Sequence, residues 1–377
     1  MLIKNARVVT PDDEFIGVVE IENGLIRTVE QGATQAPGAL DWDGDYLVPG
    51  LVEIHTDNLE KHLAPRPGVL WNIDAAFVIH DAQVAAAGIT TVFDALAIGE
   101  RGNVGIRSRD NQFDSADVLE RHTRQGLLRA DHYLHLRCEV ATVDVVDTFE
   151  ELRHHPLLRL VSVMDHTPGQ RQWTDHAKYR QYQERNGKWS DEQWRTTLAG
   201  LHDEQARFAD LHRAAIVERC RALGLPVASH DDTLVEHVEQ AVSDGMAISE
   251  FPTTMVAAQA ARAHRMINVM GAPNVVRGGS HSGNVSALEL AHEGLLDVLS
   301  SDYVPSSLMH AAFELTRRCG WPLSRAMATV TANPARVVGL ADRGAIVPGL
   351  RADLVRVHKS HDLPVPRATY REGARIA

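Results

Sequence analysis

The sequence predicts an α/β fold: a (β/α)8 TIM-like barrel with a small β-sandwich formed from both termini. Three observations predict it. Eight short apolar, β-rich runs alternate with amphipathic segments between residues 51 and 302, the pattern of βα units and a parallel sheet. Imidazoles and carboxylates recur at the C-terminal ends of those runs, where a barrel gathers its functional groups. Finally, the first 46 residues and the last 35 share a composition of short strands and turns. Each part is too small to bury a core alone.

In chain order, residues 1–46 read as strands at Leu2-Ile3 with Ala6–Val9, Phe15–Ile21 and Leu25–Val29, separated by turns at Pro11-Asp12-Asp13 and Glu22-Asn23-Gly24. The barrel runs are 51–57, 89–95, 132–140, 158–166, 225–231, 246–252, 266–276 and 295–302. No Gly-x-Gly-x-x-Gly follows the first run, which removes the simplest dinucleotide-binding reading of an open sheet. About sixty charged and aromatic residues between His166 and Pro226 form a helical insertion, centred on 170–200. They read as a helical pair, with a lid over the mouth as the alternative. The domain expectation is therefore 1–46 with 343–377, and a catalytic barrel over 47–342.

The chemistry begins at PGLVEIHTD. Side chains alternate along a strand, so His55 and Asp57 share a face. Glu139, His166, His230 and Asp302 close later runs. One strand-end histidine is more often a satisfied polar group than a ligand, but six such residues at one end of different strands point to a divalent ion. Zn²⁺ suits these donors best, with Mn²⁺ and Fe²⁺ as alternatives and one or two ions expected. A second set suits anions: Lys61, His62 and Arg66 after the first run, Arg137 two residues before Glu139, and Arg171 in DHTPGQR. The run Arg277, Gly278, Gly279, Ser280, His281, Ser282, Gly283, Asn284 leads toward a helix expected near Val285. Glycines before a helix N-terminus let backbone N–H groups approach a phosphate.

Composition bounds the rest. Thirty-eight basic against 50 acidic residues give a net charge of −12, which argues against nucleic acid as a partner. The N-terminus lacks the apolar core of a signal peptide, and no uncharged run reaches the roughly 18 residues of a membrane span. Three scattered cysteines, Cys138, Cys220 and Cys319, make no disulfide framework and fit a cytoplasmic location. No membrane partner is expected.

These residues resemble the amidohydrolase superfamily. PGLVEIHTD after an N-terminal β unit, Asp302 at the last strand, and TANPARVVGL followed by GAIVPGLRADLV carry the likeness. Longer segments, among them HTDNLEKHLAPRPGV, VSVMDHTPGQRQ, MGAPNVVRGGSHSGNVSALELA and LLDVLSSDY, resemble the branch that serves the bacterial carbon–phosphorus lyase pathway of phosphonate catabolism. The resemblance spans nearly the whole chain. It implies hydrolysis of α-D-ribose 1-methylphosphonate 5-triphosphate to the 5-phosphate plus diphosphate. His55 matches the first histidine of the superfamily His-x-His motif, and Asp57 stands where the second usually is. Glu139 matches a bridging carboxylate, where many members carry a carbamylated lysine. His166 and His230 match the two mid-barrel histidines but fall on strands four and five, one earlier than usual. Asp302 matches the aspartate that deprotonates the attacking water. Lys61, His62, Arg66, Arg137, Arg171 and the 277–284 loop are then expected on the phosphates. Superfamily relatives often form dimers, so a homodimer is one expectation. The competing readings are a superfamily enzyme that opens a cyclic amide or deaminates a base, and a barrel that has lost its ions and serves in assembly.

Overall fold

The computed structural model describes residues 1–99, 105–173, 176–184, 188–280 and 283–377. Its strands in chain order are β1 (Leu2–Val9), β2 (Glu14–Glu22), β3 (Leu25–Gln31), β4 (Leu40–Asp41), β5 (Tyr46–Pro49), β6 (Leu51–Thr56), β7 (Ile89–Ile98), β8 (Asp131–Glu139), β9 (Leu158–Met164), β10 (Val227–His230), β11 (Ile248–Glu250), β12 (Ile267–Gly271), β13 (Val298–Ser300), β14 (Leu354–Ser360), β15 (Leu363–Arg371) and β16 (Ala374–Arg375). They form two sheets of eight. One joins strands from both termini. The other is parallel, keeps β6 to β13 in chain order, and is the (β/α)8 barrel that the sequence predicts. The chain divides into two compact units, 1–94 with 117–133 and 269–377, and 95–116 with 134–268. Each unit takes several barrel strands.

In the first unit, β1 pairs antiparallel with β2 and parallel with β5, while β14 pairs antiparallel with β5. The ends of the chain are thereby sewn into one sheet. Asn23 and Gly24, at φ 52° and 79°, make the two-residue turn that the right-handed twist of the β2–β3 hairpin favours. Ile3, Val8, Val19, Ile21, Ile26, Trp42, Leu47 and Leu354 bury one face. Gly50 joins β5 to β6. A Cβ there would lie 2.3 Å from Thr90 Oγ1, so no larger residue fits this close approach. β6 runs parallel to β7 with Thr56 opposite Asp94. A bridge from Thr56 to Asp302 ties β6 to the residue beyond β13, and so links the first and last barrel strands. At the N-terminal end of β8, Asp131 accepts from Arg343 at 2.7 Å and Arg371 at 3.2 Å and pairs with Arg351 at 2.8 Å. Those arginines come from the C-terminal segment, so this cluster fastens chain end to barrel strand.

In the second unit, β8, β9, β10 and β11 pair in parallel, with Glu139 opposite Met164 and His230 opposite Glu250. The predicted insertion contains a helix at His176–Gln183 and a 33-residue helix at Asp191–Leu223. Ser190 and Gln193 form a capping box at the start of the long helix, and Gly224 ends it at φ 67°. Arg213 Nε donates to Asp244 at 2.6 Å, His202 Nε2 lies 2.8 Å from the Pro168 carbonyl, and Gln205 Nε2 donates to Asp165 at 3.2 Å. The last two hold the loop that follows β9.

The run 266–276 is not one strand. It turns helical at Ala272–Arg277, because Pro273 in the first turn of that helix has no N–H to give a strand ladder. Among the described residues no helix is long and apolar enough to cross a membrane.

Candidate functional site

The second unit carries a dense polar cluster where β8 to β11 end. Glu139, last in β8, uses both oxygens on His166: Oε1 accepts the backbone N–H at 3.0 Å and Oε2 contacts Nδ1 at 2.7 Å. His166 lies just past β9, the fourth barrel strand, and His230 ends the fifth, as the sequence count expects. His230 Nδ1 is 2.8 Å from Glu250 Oε2. Glu250 is buried at the end of β11 and also accepts from Ser162 Oγ at 2.7 Å, which in turn meets His135 Nε2 at 2.6 Å. Each imidazole is thus oriented by a carboxylate on Nδ1, the arrangement that fixes tautomer and basicity in metal-binding histidines. Their Nε2 atoms stand 3.5 and 3.6 Å from Asp231 Oδ2, beyond a good hydrogen bond. The two rings are edge to face at 5.8 Å.

Electrostatics follow the geometry. Glu139 and Asp231 push the His166 pKa up to about 10 against the opposing effect of burial. Burial opposes ionisation of Asp231, yet His230, His166 and Arg137 hold its pKa below the usual carboxylate value. Asp231 has φ 57°, a left-handed conformation costly for a residue with a Cβ. The sequence alone does not single out Asp231 and Glu250 from their neighbours at the strand ends. The pair Asp231-Asp232 after His230 and the Glu250 that closes ISE were the available signals.

Arg171, expected on phosphate, is buried with φ 42°. It donates to the His230 carbonyl at 3.1 Å and to Asp232, so it braces the end of β10. Arg137 is nearly buried on β8 beside Glu139.

In the first unit, His55 is the last residue but one of β6 and is buried, while Asp57 is half-buried just beyond the strand. Asp302 has φ 54°. Its N–H donates to the His55 carbonyl at 3.1 Å, and Asp57 N–H donates back to the Asp302 carbonyl at 3.1 Å. Thr56 Oγ1 donates to the same carbonyl at 2.7 Å. Glu53, another residue the sequence reading did not single out, lies fully buried beneath them. It accepts from His55 N–H at 2.6 Å and from Ser301 N–H, and burial pushes its pKa up to about 7. Lys61 Nζ donates to the Tyr303 carbonyl and lies 5.1 Å from the centre of the Tyr303 ring. His62 Nε2 is 2.8 Å from Gln83 Oε1, and burial pulls its pKa down. Arg66 sits in an exposed turn bridged to Val69.

The glycine loop differs from expectation. Arg277 is the last residue of a helix and Gly278, at φ 83°, caps its C-terminus. The next helix starts at Ala287, and Ser286 and Glu289 cap it in a capping box. Gly278, Gly279 and Ser280 therefore follow a helix C-terminus, because left-handed glycine terminates helices, while Asn284 precedes the N-cap Ser286 of the next helix, near the start expected at Val285. His281 lies outside the described residues.

Comparisons with known proteins agree with this picture. The amidohydrolase family model matches residues 204–374. The chain is 43% identical over 382 residues to the α-D-ribose 1-methylphosphonate 5-triphosphate diphosphatase of Escherichia coli (strain K12), covering 100% of both chains. In structure it is similar to N-acetyl-D-glucosamine-6-phosphate deacetylase from Mycobacterium smegmatis, at 18% identity and TM-score 0.65 over 100% of both chains. It is also similar to dihydropyrimidinase from Brevibacillus agri, at 14% identity and TM-score 0.63 over 99% of this chain and 94% of that one. At such identities the two structures support the fold alone.

Proposed function

The chain belongs to the amidohydrolase superfamily, and on its end-to-end likeness to the Escherichia coli diphosphatase we propose that it hydrolyses α-D-ribose 1-methylphosphonate 5-triphosphate to the 5-phosphate and diphosphate. The full-length 43% identity is the observation that carries this reading. It favours a phosphoric anhydride over the cyclic amides and bases on which other superfamily members act.

The donor set fits a divalent ion. His166, His230 and Asp231 each offer an atom within 4.8 Å of the others, and two imidazoles with a carboxylate suit zinc first and Mn²⁺ or Fe²⁺ next. His55, Asp57, Glu139 and Asp302 join the set by resemblance. Such an ion supplies charge neutralisation at a phosphoryl oxygen and a more acidic water. The protein's own groups do the rest. Glu139 and Glu250 aim the two imidazoles. Asp302, held against the backbone at His55 and Asp57, accepts the proton of the attacking water. Water adds to the α-phosphorus, the α–β anhydride bond breaks, and diphosphate leaves with the electron pair. Lys61, Arg66, Arg137, Arg277 and polar groups of the 278–284 loop offset the charge on the departing oxygens. His62 and Arg171 belong to this set by resemblance, though both already have partners within the fold. The division into a terminal β unit and a catalytic barrel belongs to the same reading, as does a cytoplasmic location, which three free thiols suit.

The test is phosphorus NMR of products formed by the zinc-loaded protein from the ribose triphosphate. Equimolar 5-phosphate and diphosphate support the reading. Orthophosphate alone, or no turnover beside hydrolysis of a cyclic amide, overturns it. Asp302→Asn should slow diphosphate release by about 10²–10⁴-fold.

A further inference from the structure

The first unit contains a second histidine–carboxylate network that the reaction above does not use. It runs beneath the turn after β6. His132 lies between two carboxylates, Nδ1 2.7 Å from Asp94 Oδ2 and Nε2 3.3 Å from Asp81 Oδ1. Asp94 Oδ1 meets His80 Nε2 at 2.7 Å. His80 Nδ1 meets Asn58 Nδ2 at 3.0 Å, and Asn58 Nδ2 also donates to Gln83 Oε1 at 2.9 Å. Asp81, His132, Asp94, His80 and Asn58 are all buried. Asn58 is the residue after Asp57.

The direction of these hydrogen bonds follows from the carboxylates, which only accept when ionised. His132 faces two of them and donates from both nitrogens, so it is an imidazolium. Asp81 also takes Arg129 Nη1 at 3.0 Å and the N–H groups of Arg129 and Ala130. His80 faces an acceptor, Asp94 Oδ1, with Nε2 and a donor, the Asn58 amide nitrogen, with Nδ1. Its one proton sits on Nε2 facing Asp94, so Nδ1 accepts from the Asn58 amide. The second amide proton goes to Gln83, whose Oε1 then also accepts from His62 Nε2–H. Both imidazoles donate to Asp94, so the contacts run without a break from His132 through Asp94 and His80 to Asn58, whose Nδ2 also stands 3.3 Å from His62 Nε2.

We infer that His80 and Asn58 are positioning residues: the buried chain Asp81–His132–Asp94–His80 locks the Asn58 amide, and through it the backbone that carries Asp57, into one orientation for catalysis. Asn58 Oδ1 is buried with no hydrogen-bond partner among the described residues. The site therefore gives up one hydrogen bond to hold the amide N–H groups on His80 and Gln83. A purely structural asparagine would be expected to satisfy both ends. The role inferred for Asp57 rests on the functional reading above.

The test compares His80→Phe and Asn58→Leu with Val84→Ala, which opens a buried cavity in the same helix, Ile73–Ala86, without touching the chain. The readouts are thermal stability, bound metal per chain, kcat and KM for diphosphate release, and ¹⁵N resonances of the histidines. The expected result is a fall in kcat of more than tenfold in both variants with KM within twofold, and lower metal occupancy than in Val84→Ala at matched loss of Tm. His80 in the wild type should resonate as a neutral ring protonated on Nε2. Equal kcat and metal content in the matched variants overturns the positioning role, and an imidazolium or Nδ1-protonated His80 overturns the assigned direction. His80→Gln keeps a buried polar group, so it provides the folded variant if His80→Phe does not accumulate. If the wild type releases no diphosphate, the functional reading fails, while the metal-content and resonance arms still decide this inference.

Discussion

Two histidine–carboxylate networks, one in each unit, differ in what the second ring nitrogen meets. In the first unit His132 places both nitrogens on carboxylates, and His80 spans a carboxylate and an amide. Every ring there is closed by the fold. In the second unit Glu139 and Glu250 take the Nδ1 atoms of His166 and His230 at hydrogen-bond distance, while both Nε2 atoms stand 3.5–3.6 Å from Asp231. That spacing suits an ion between donors better than a hydrogen bond. The same residue types thus make a network closed by hydrogen bonds in one place and, on the function proposed above, a ligand set in the other. A motif of histidines and carboxylates does not separate the two; the partner of each nitrogen does.

Substitutions should separate them in turn. The largest effect expected on activity is from His230→Ala, which removes a ligand proposed for the divalent ion. Diphosphate release should fall on the order of 10³-fold, with a Tm change of only a few degrees by calorimetry. A loss of stability comparable to that of a first-network variant would break the distinction. Next, Asp94→Ala should cost about 3–5 kcal/mol in denaturant unfolding, because it strands the buried His132 imidazolium. Glu250→Gln keeps the shape but weakens the orientation of His230, and should lower zinc affinity about 10–100-fold by competition with a chelator. A chelator should abolish turnover and leave the His80 and His132 resonances unmoved.

The smallest effect is one of pH. Asp94 and Asp81 push His132 up to about 9 within the fold, against about 6.5 in an unfolded chain. A raised pKa means that its stabilisation is complete below about pH 6.5 and is lost as pH rises through about 9. The Tm gap between the wild type and His132→Gln should therefore narrow between pH 6.5 and 9.5. A gap that widens with pH would contradict the imidazolium.

Much of this was legible in the sequence. The alternation of runs pointed to the barrel, since apolar β-rich runs and amphipathic spacers have few other solutions. The turn residues Asn23-Gly24 and the apolar strands at both ends signalled the terminal sheet. Strand-end positions also placed His55, His166, His230 and Asp302, because residue spacing along a strand is rigid.

Only the tertiary structure could assign partners. Residues 81, 94 and 132 are far apart in sequence, and nothing local marks them as one network rather than three isolated polar groups. Nothing local in the sequence pairs Arg171 with Asp232; only the fold does. That Gly278 also ends the helix before it is visible only in the structure. Sequence determines which side chains stand at a strand end, because backbone geometry is short-range. Whether a histidine is closed by a neighbour or turned toward an ion depends on contacts between distant segments, and those exist only once the chain has folded.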